Sequence, residues 1–436
     1  MASHTHAMPV LWVANRNTLP SAFFGIATLI LHHRWRQEGR RDAAVLGPLA
    51  LLLGLLSNEG AVAACAYLFA YALFIDKGTP RRRALSLAPY VVTVVAWRIY
   101  YQLQGYGAWA SEAYIDPLAS PLKFIEAVAL REPLYFLSQW LFPPADMSPL
   151  VSSSVMALWW LFAMGFAAVF FTILFPLLKR DATARFWCAG MVLSLIPSCA
   201  TFPADRMLLY SGIGGAALLS QFLVALYAGH LLPPKARIRR IIAYALFLLF
   251  IVVHIVLAPA GLPIRIAGTT QVLNNTITEP IRALAEKEEL SGKLVVVVNN
   301  TLLTGAYFSA MRAVSGLDPA EQVLVLGPVF SIADTLKLSR ESANTLVLEI
   351  EGGYEWLLCR DSAHPFAVGD EVDLNRVTVE IRQITDDGRP TEVAFRFDTP
   401  LEDDSIAWFA YALSASGPTS ALEPFEPPPV GMTSKI

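Results

Sequence analysis

The feature that most constrains this chain is a change of character near residue 260. Before it, runs such as Val155–Leu178 and Ile241–Leu257 are almost free of charge. After Pro263, Glu, Asp, Arg and Lys return at ordinary frequency. A run of about 20 apolar residues is what a helix needs to cross a bilayer. Inside lipid, a helix also satisfies every backbone N–H and C=O internally. The chain as a whole is only 16% charged, against about 25% in a soluble domain. The expected fold is therefore an α-helical polytopic membrane domain over residues 1–260. An α+β domain follows over 262–427, with a loose tail over 428–436.

Eight helices are expected: Leu19–His33, Ala43–Ser57, Gly60–Ile75, Leu85–Leu103, Ser154–Leu178, Phe186–Thr201, Met207–Leu231 and Ile241–Ala258. A single long helix from Ala43 to Ile75 competes with the second and third of these. Charge decides between them, because cytoplasmic loops are enriched in Lys and Arg. The loops at 34–41, 77–83, 179–185 and 235–240 hold fifteen such residues. The opposite loops hold four: Arg16, Lys123, Arg131 and Arg206. That alternation requires a break near Asn58. It places the basic loops in the cytoplasm and both ends of the chain outside it, as in a bacterial inner membrane protein whose first partner is the lipid bilayer. Residues 122–142, with an apolar face interrupted by Glu126, Arg131, Glu132 and Pro133, are expected to lie along the interface, with Trp140 at headgroup depth.

The net charge of −3 removes electrostatic support for nucleic-acid binding. Cys65, Cys188, Cys199 and Cys359 contain no CxxC pair, so neither a zinc site nor a disulfide framework is indicated. In the C-terminal part, Lys293–Asn299 is expected as a buried strand, Leu302–Ser315 as a helix, and Gln322–Leu326 and Thr345–Glu351 as strands. The segments VTVEIRQI and EVAFRF flank an Asp-Gly turn and predict a hairpin. No phosphate loop, metal spacing or nucleophile elbow appears there. Its acidic groups (Asp370–Asp373, Asp386–Asp387, Glu402–Asp404) read as solvated turns.

Ionisable groups at membrane depth are costly and so point to function. Arg16, Asn58, Glu59, Arg98, Asp205, Arg206 and Tyr210 all fall at the outer side of the helices. One reading is an interfacial salt-bridge set, with Glu59 paired to Arg98 or Arg206. The other is a cationic pocket that binds a phosphate or pyrophosphate headgroup through bidentate contacts. His32, His33 and His254 read as packing or interface residues.

Trp12-Val-Ala-Asn-Arg16, followed by an apolar helix, a basic loop and Leu55-Leu-Ser-Asn-Glu-Gly60, resembles the W-(I/V)-x-x-R … L-L-S-K-E pattern of GT-C superfamily membrane glycosyltransferases. Pro203-Ala-Asp-Arg-Met-Leu-Leu-Tyr210-Ser-Gly-Ile-Gly214 is similar to the E-R-Y-L-Y-L-P-S-I-G segment of their protein O-mannosyltransferase-like members. The matches fall within Ser3–Leu231. The resemblance implies transfer of a sugar from a polyprenyl-phosphate carrier at the outer membrane face. Arg16, Asn58, Glu59, Arg98, Arg206 and Tyr210 would be the substrate-binding set. The family's catalytic acid, a base or divalent-metal ligand, sits in the loop after its first helix. This chain is expected to begin beyond that loop, and it has Asn58 in place of the family's Lys. The catalytic residue is therefore unknown, and an N-terminally incomplete copy is expected. A non-catalytic anchor that displays the C-terminal domain is the alternative. A transporter would show internal symmetry, and none is evident.

Overall fold

The computed structural model describes residues 15–107, 113–229, 231, 237–285, 290–300, 302–327, 336–354, 360–413 and 420–435. Trp12, Lys235 and Cys359 lie outside the described residues. The chain divides into two compact units, one ending at Ile266 and the other taking up Ala267–Ile436.

The first unit is helical: α1 (Thr18–Glu38), α2 (Arg41–Ser57), α3 (Ala64–Phe74), α4 (Pro80–Leu103), α5 (Pro121–Trp140), α6 (Ser153–Arg180), α7 (Ala182–Ser198), α8 (Leu209–Tyr227) and α9 (Arg237–Ile251). Among the described residues, four helical stretches are long and apolar enough to cross a membrane: Pro80–Leu103, Ser154–Arg180, Asp205–Tyr227 and Arg237–Gly268. At 1.5 Å per residue, each exceeds the ~30 Å hydrocarbon core. Their outward side chains are apolar, as at Val92, which is 66% exposed, and Leu158 and Leu248. Water would penalise so many exposed apolar groups, whereas lipid does not. The chain is a membrane protein on this ground.

The expected break near Asn58 is present. Helix α2 stops at Asn58, whose backbone is extended (φ −163°, ψ 135°). A short 3₁₀ turn over Glu59–Ala63 then leads into α3. The last apolar helix does not end at Ala258. It passes through a wide turn at Val252–Leu257 into α10 (Ala258–Leu273), with Pro263 inside it. Composition changes before the helix ends, because a helix can leave an apolar setting without unwinding.

Residues 122–142 correct a second expectation. The first half of α5 is largely exposed, with Leu122 at 81% and Ala127 the buried exception. From Leu134 to Trp140, however, every residue is buried. Trp140 is 1% exposed and packs against Phe170 and Phe250, with ring centroids 4.6 and 5.3 Å away. The stretch Leu134–Trp140 carries no charge, so it can be surrounded by helices. Arg131 and Glu132 mark where that burial begins, and Arg131 Nη1 donates to the Cys199 carbonyl at 2.9 Å.

Three tyrosines fasten the helices to glycines on their neighbours. A Cβ on Gly25 would meet the Tyr210 hydroxyl at 2.5 Å, one on Gly47 the Tyr90 hydroxyl at 2.4 Å, and one on Gly190 the Tyr67 ring at 2.2 Å. His32 is buried among Trp35, Tyr71 and Tyr90, with Nδ1 3.3 Å from the Tyr90 hydroxyl. It is a packing residue, as expected.

At the basic end, the Arg36 guanidinium forks onto Asp76, with Nε 2.6 Å from Oδ2 and Nη2 3.3 Å from Oδ1. Burial pushes the Asp76 carboxyl up. The Arg36 hydrogen bond and the Gly78 N–H outweigh it and hold the carboxyl below its ordinary value. A depressed folded-state pKa contributes stability that is present above the unfolded value, near 3.8, and is lost as pH falls through the folded one. Wild-type protein in detergent should therefore lose melting temperature on acidification below about pH 4. Asp76→Asn should lose less over the same range. Equal acid losses in the two proteins would remove this pair as the cause.

The second unit has three layers. Strands β1 (Leu294–Val298), β2 (Gln322–Leu326), β8 (Ile406–Leu413) and β9 (Ser420–Pro424) form a sheet in the order β2-β1-β8-β9. In it β1 is parallel to both β2 and β8. The parallel crossover from β1 to β2 is made by α11 (Leu302–Val314). Strands β3 (Leu336–Arg340), β4 (Thr345–Ile350), β5 (Glu371–Asp373), β6 (Val377–Ile384), β7 (Pro390–Phe397) and β10 (Thr433–Lys435) form an antiparallel sheet in the order β10-β3-β4-β7-β6-β5. Alternation along β1 splits its faces. Leu294, Val296 and Val298 join the core shared with the antiparallel sheet, including Leu348 and Phe395. Val295 and Val297 pack with Ile281 and Phe308 on the helical side. That division is why the strand reads as continuously apolar. The expected hairpin is β6–β7, in register at Val379 and Phe395, and Gly388 takes φ 86° in its turn.

Arg340 is 5% exposed and holds the β3–β4 turn. Its Nε donates to the Ser342 carbonyl at 2.9 Å and its Nη2 to the Ala343 carbonyl at 2.8 Å, while the Glu402 carboxylate accepts from both terminal nitrogens. Arg340→Leu should destabilise this unit by roughly 1–2 kcal/mol, since two partly exposed turn carbonyls lose their donors. Urea unfolding followed by Trp408 fluorescence is the readout, and an unchanged midpoint would refute the assignment.

Candidate functional site

Five helix ends meet on the side opposite the basic loops: the starts of α1, α3 and α8 and the ends of α2 and α7. Between them lies a cavity of about 280 Å³. Its walls come from Asn15, Thr18 and Ser21 at the start of α1, from the turn Asn58–Ala63, from Tyr114, from Pro197, Ser198 and Thr201 at the end of α7, and from Arg206, Met207, Leu209 and Tyr210.

Local chemistry forms each wall. The Asn58 side chain accepts from the Gly60 N–H at 2.8 Å and so starts the 3₁₀ turn that leaves Glu59 exposed at the cavity. The Ser21 hydroxyl donates to the Asn58 carbonyl at 3.4 Å. The Tyr210 hydroxyl donates to the Ser21 carbonyl at 2.8 Å. Tyr67 in turn donates to the Tyr210 carbonyl at 2.7 Å and accepts from the Gly214 N–H at 3.0 Å. Residues 114–115 strap the mouth to the end of α7: Tyr114 bridges Thr201, and the Ile115 N–H donates to the Ala200 carbonyl at 2.7 Å. Burial, helped by the nearby negative charge of Glu59, pushes the Tyr114 hydroxyl up to about 12. It is therefore a neutral donor at physiological pH.

Four of the six expected residues, Asn58, Glu59, Arg206 and Tyr210, line this one cavity. Arg16 is exposed beside Asn15 and outside the lining. Arg98 is also outside it. The Arg98 guanidinium pairs with Asp116 and lies 5.5 Å from the Tyr101 ring centre. The expected alternative of Glu59 paired to Arg98 is thus replaced by an Asp116 pair, and Glu59 makes no ion pair among the described residues. Arg206 stacks over Phe202, 5.5 Å from the ring centre. Asp205 points elsewhere: fully buried, it accepts from the Ser138 hydroxyl and the Ala145 N–H, both at 2.8 Å, while its own N–H donates to Asp146. It ties α5 to the segment before α8. Of the two carboxylates expected at this face, only Glu59 borders the cavity.

Tyr114, Asp116, Ser198 and Thr201 were not legible in advance, because they come from loops and helix ends without periodic signal. A lone Asp within the mostly apolar outward loop was the available cue for Asp116. Among the described residues no cluster of three or more His, Cys, Asp or Glu is placed to hold a metal ion. Comparison with models of known families, with curated proteins and with solved structures returned no match.

Proposed function

We propose that the helical unit transfers a sugar from a polyprenyl-phosphate carrier to an acceptor hydroxyl at the extracytoplasmic face of a bacterial inner membrane. In this reading the chain crosses the bilayer eight times, with α1, α2, α3 and α7 completing the four longer spans. Both of its ends face outward. The observation that carries the reading is that Glu59 and Arg206 share one cavity, at the helix ends opposite the basic loops. A guanidinium offers a planar fork that matches a phosphate. Arg206 would hold the carrier phosphate and keep it after the anomeric carbon–oxygen bond breaks. The acceptor oxygen would form the new bond to that carbon, and its proton would pass to the Glu59 carboxylate. The resemblance of Trp12–Gly60 and Pro203–Gly214 to GT-C enzymes supports the same chemistry.

The second reading is an anchor that displays the C-terminal unit, and it too has support. Asn58 and Tyr210 are engaged in holding the helix ends together, and Arg98 is neutralised by Asp116. A radiolabelled polyprenyl-phosphate sugar, supplied to membranes containing the intact gene product, separates the two. Transfer that falls in Arg206→Ala supports the enzyme. No transfer above background in the wild type would leave the anchor.

A further inference from the structure

A second depression lies at the opposite, basic end of the helical unit, between α6, α7 and the end of α3. It is a groove of about 830 Å³ walled by Phe74, Phe171, Phe175, Val192 and Leu193 among other apolar side chains, with Lys179 and Arg185 as its only charges among the described residues. Arg185 is fixed in place. Its Nη1 donates to the Leu178 and Lys179 carbonyls at 2.8 and 3.2 Å, and its guanidinium lies 5.6 Å from the Phe74 ring centre. Those bonds satisfy carbonyls at the end of α6 that have no helical partner. They also leave the other guanidinium N–H groups free to donate elsewhere. Asp181, the nearest carboxylate in sequence, is turned to its own helix, where it accepts from the Thr183 N–H at 2.8 Å.

We infer that this groove binds one anionic phospholipid, with its phosphate on Lys179 and Arg185 and an acyl chain along Phe171, Phe175, Val192 and Leu193. The groove is too apolar for a free anion and carries two cations that a zwitterionic headgroup would not balance. Basic sites between helices at the Lys/Arg-rich end of membrane proteins suit anionic headgroups in this way. The long wall suits a hydrocarbon chain, for which each buried CH₂ adds to binding. An aqueous peptide would leave its backbone polar groups unmet against such a wall. The site is separate from the outer cavity and does not depend on a transferase reading.

Delipidated full-length protein in detergent would be mixed with phosphatidylglycerol or phosphatidylcholine of the same chain length. Bound lipid would be counted by native mass spectrometry. Phosphatidylglycerol should be retained in preference to phosphatidylcholine. Lys179→Ala with Arg185→Gln should weaken its retention roughly tenfold or more. Because Arg185 also caps α6, two further variants guard the test. Lys179→Ala alone should weaken retention severalfold, and Ala189→Trp, which fills the groove without touching a charge, should abolish it. Equal retention of the two lipids, or unchanged retention in either of these folded variants, would overturn the assignment.

Discussion

Gly190→Leu should leave almost no folded helical unit. A Cβ at Gly190 would stand 2.2 Å from Cδ1 of Tyr67, so even alanine requires movement. The Tyr67 ring has nowhere to go. Its hydroxyl is held at both sides by Tyr210 and Gly214, and its ring borders Phe186 and Trp187. The opposing surface is just as close, because a Cβ on Gly214 would lie 2.7 Å from the Trp187 carbonyl oxygen. Helices α3, α7 and α8 therefore meet backbone to side chain with no spare volume. Close approach through small residues is how membrane helices gain packing energy. Overpacking a core usually costs about 1–3 kcal/mol. Leucine here should reach the upper end or beyond, since the atoms that must yield belong to an aromatic ring tethered at its hydroxyl and not to a flexible tip. Gly190→Ala should be partly rescued by Tyr67→Ala, with a coupling of about 1–3 kcal/mol in a double-mutant cycle. Thermal unfolding of purified protein in detergent reads this directly. A Gly190→Leu protein with wild-type melting would mean the helices do not pack as described.

The same glycines explain what could and could not be read from the chain. Apolar runs and Lys/Arg bias specify helices and a break at Asn58 because both follow from the cost of placing polar groups in lipid. Strands β1, β2, β4 and the β6–β7 hairpin were legible because their period and turn chemistry are local. The seating of Tyr67 on Gly190 joins residues 123 positions apart and leaves no local trace. The burial of Leu134–Trp140 was hidden for a related reason. Arg131, Glu132 and Pro133 argue against a span, yet they stop just before the uncharged stretch that enters the core. In the second unit, Ile406–Leu413 became a central strand beside β1 only because a parallel partner lies over 100 residues earlier. At the cavity, the sequence pointed to Glu59 and Arg206 through polarity in apolar surroundings. It could not show that Asp116 occupies Arg98 or that Asp205 faces inward, since both depend on partners contributed by distant segments.

That division of partners sets the order of effects expected in a transfer assay. Glu59→Gln keeps the shape of the turn, because Asn58 and not Glu59 starts it. It removes the proton acceptor, and general-base catalysis is typically worth 10²–10⁴-fold. The expectation is a fall of that order in kcat, about 10²-fold at least, with KM for the carrier nearly unchanged. Arg206→Ala should act mainly on KM, raising it about 10-fold or more, as expected for loss of a charge-assisted phosphate contact worth roughly 1.5–3 kcal/mol. Arg206→Lys should recover part of that loss, since it restores charge without the fork. Arg98→Gln should change either constant by less than about threefold, because its charge is already matched by Asp116 outside the cavity wall. A reversed order, with Arg98→Gln more damaging than Glu59→Gln, would place the chemistry away from this cavity. It would leave Glu59 with no part in the transfer step.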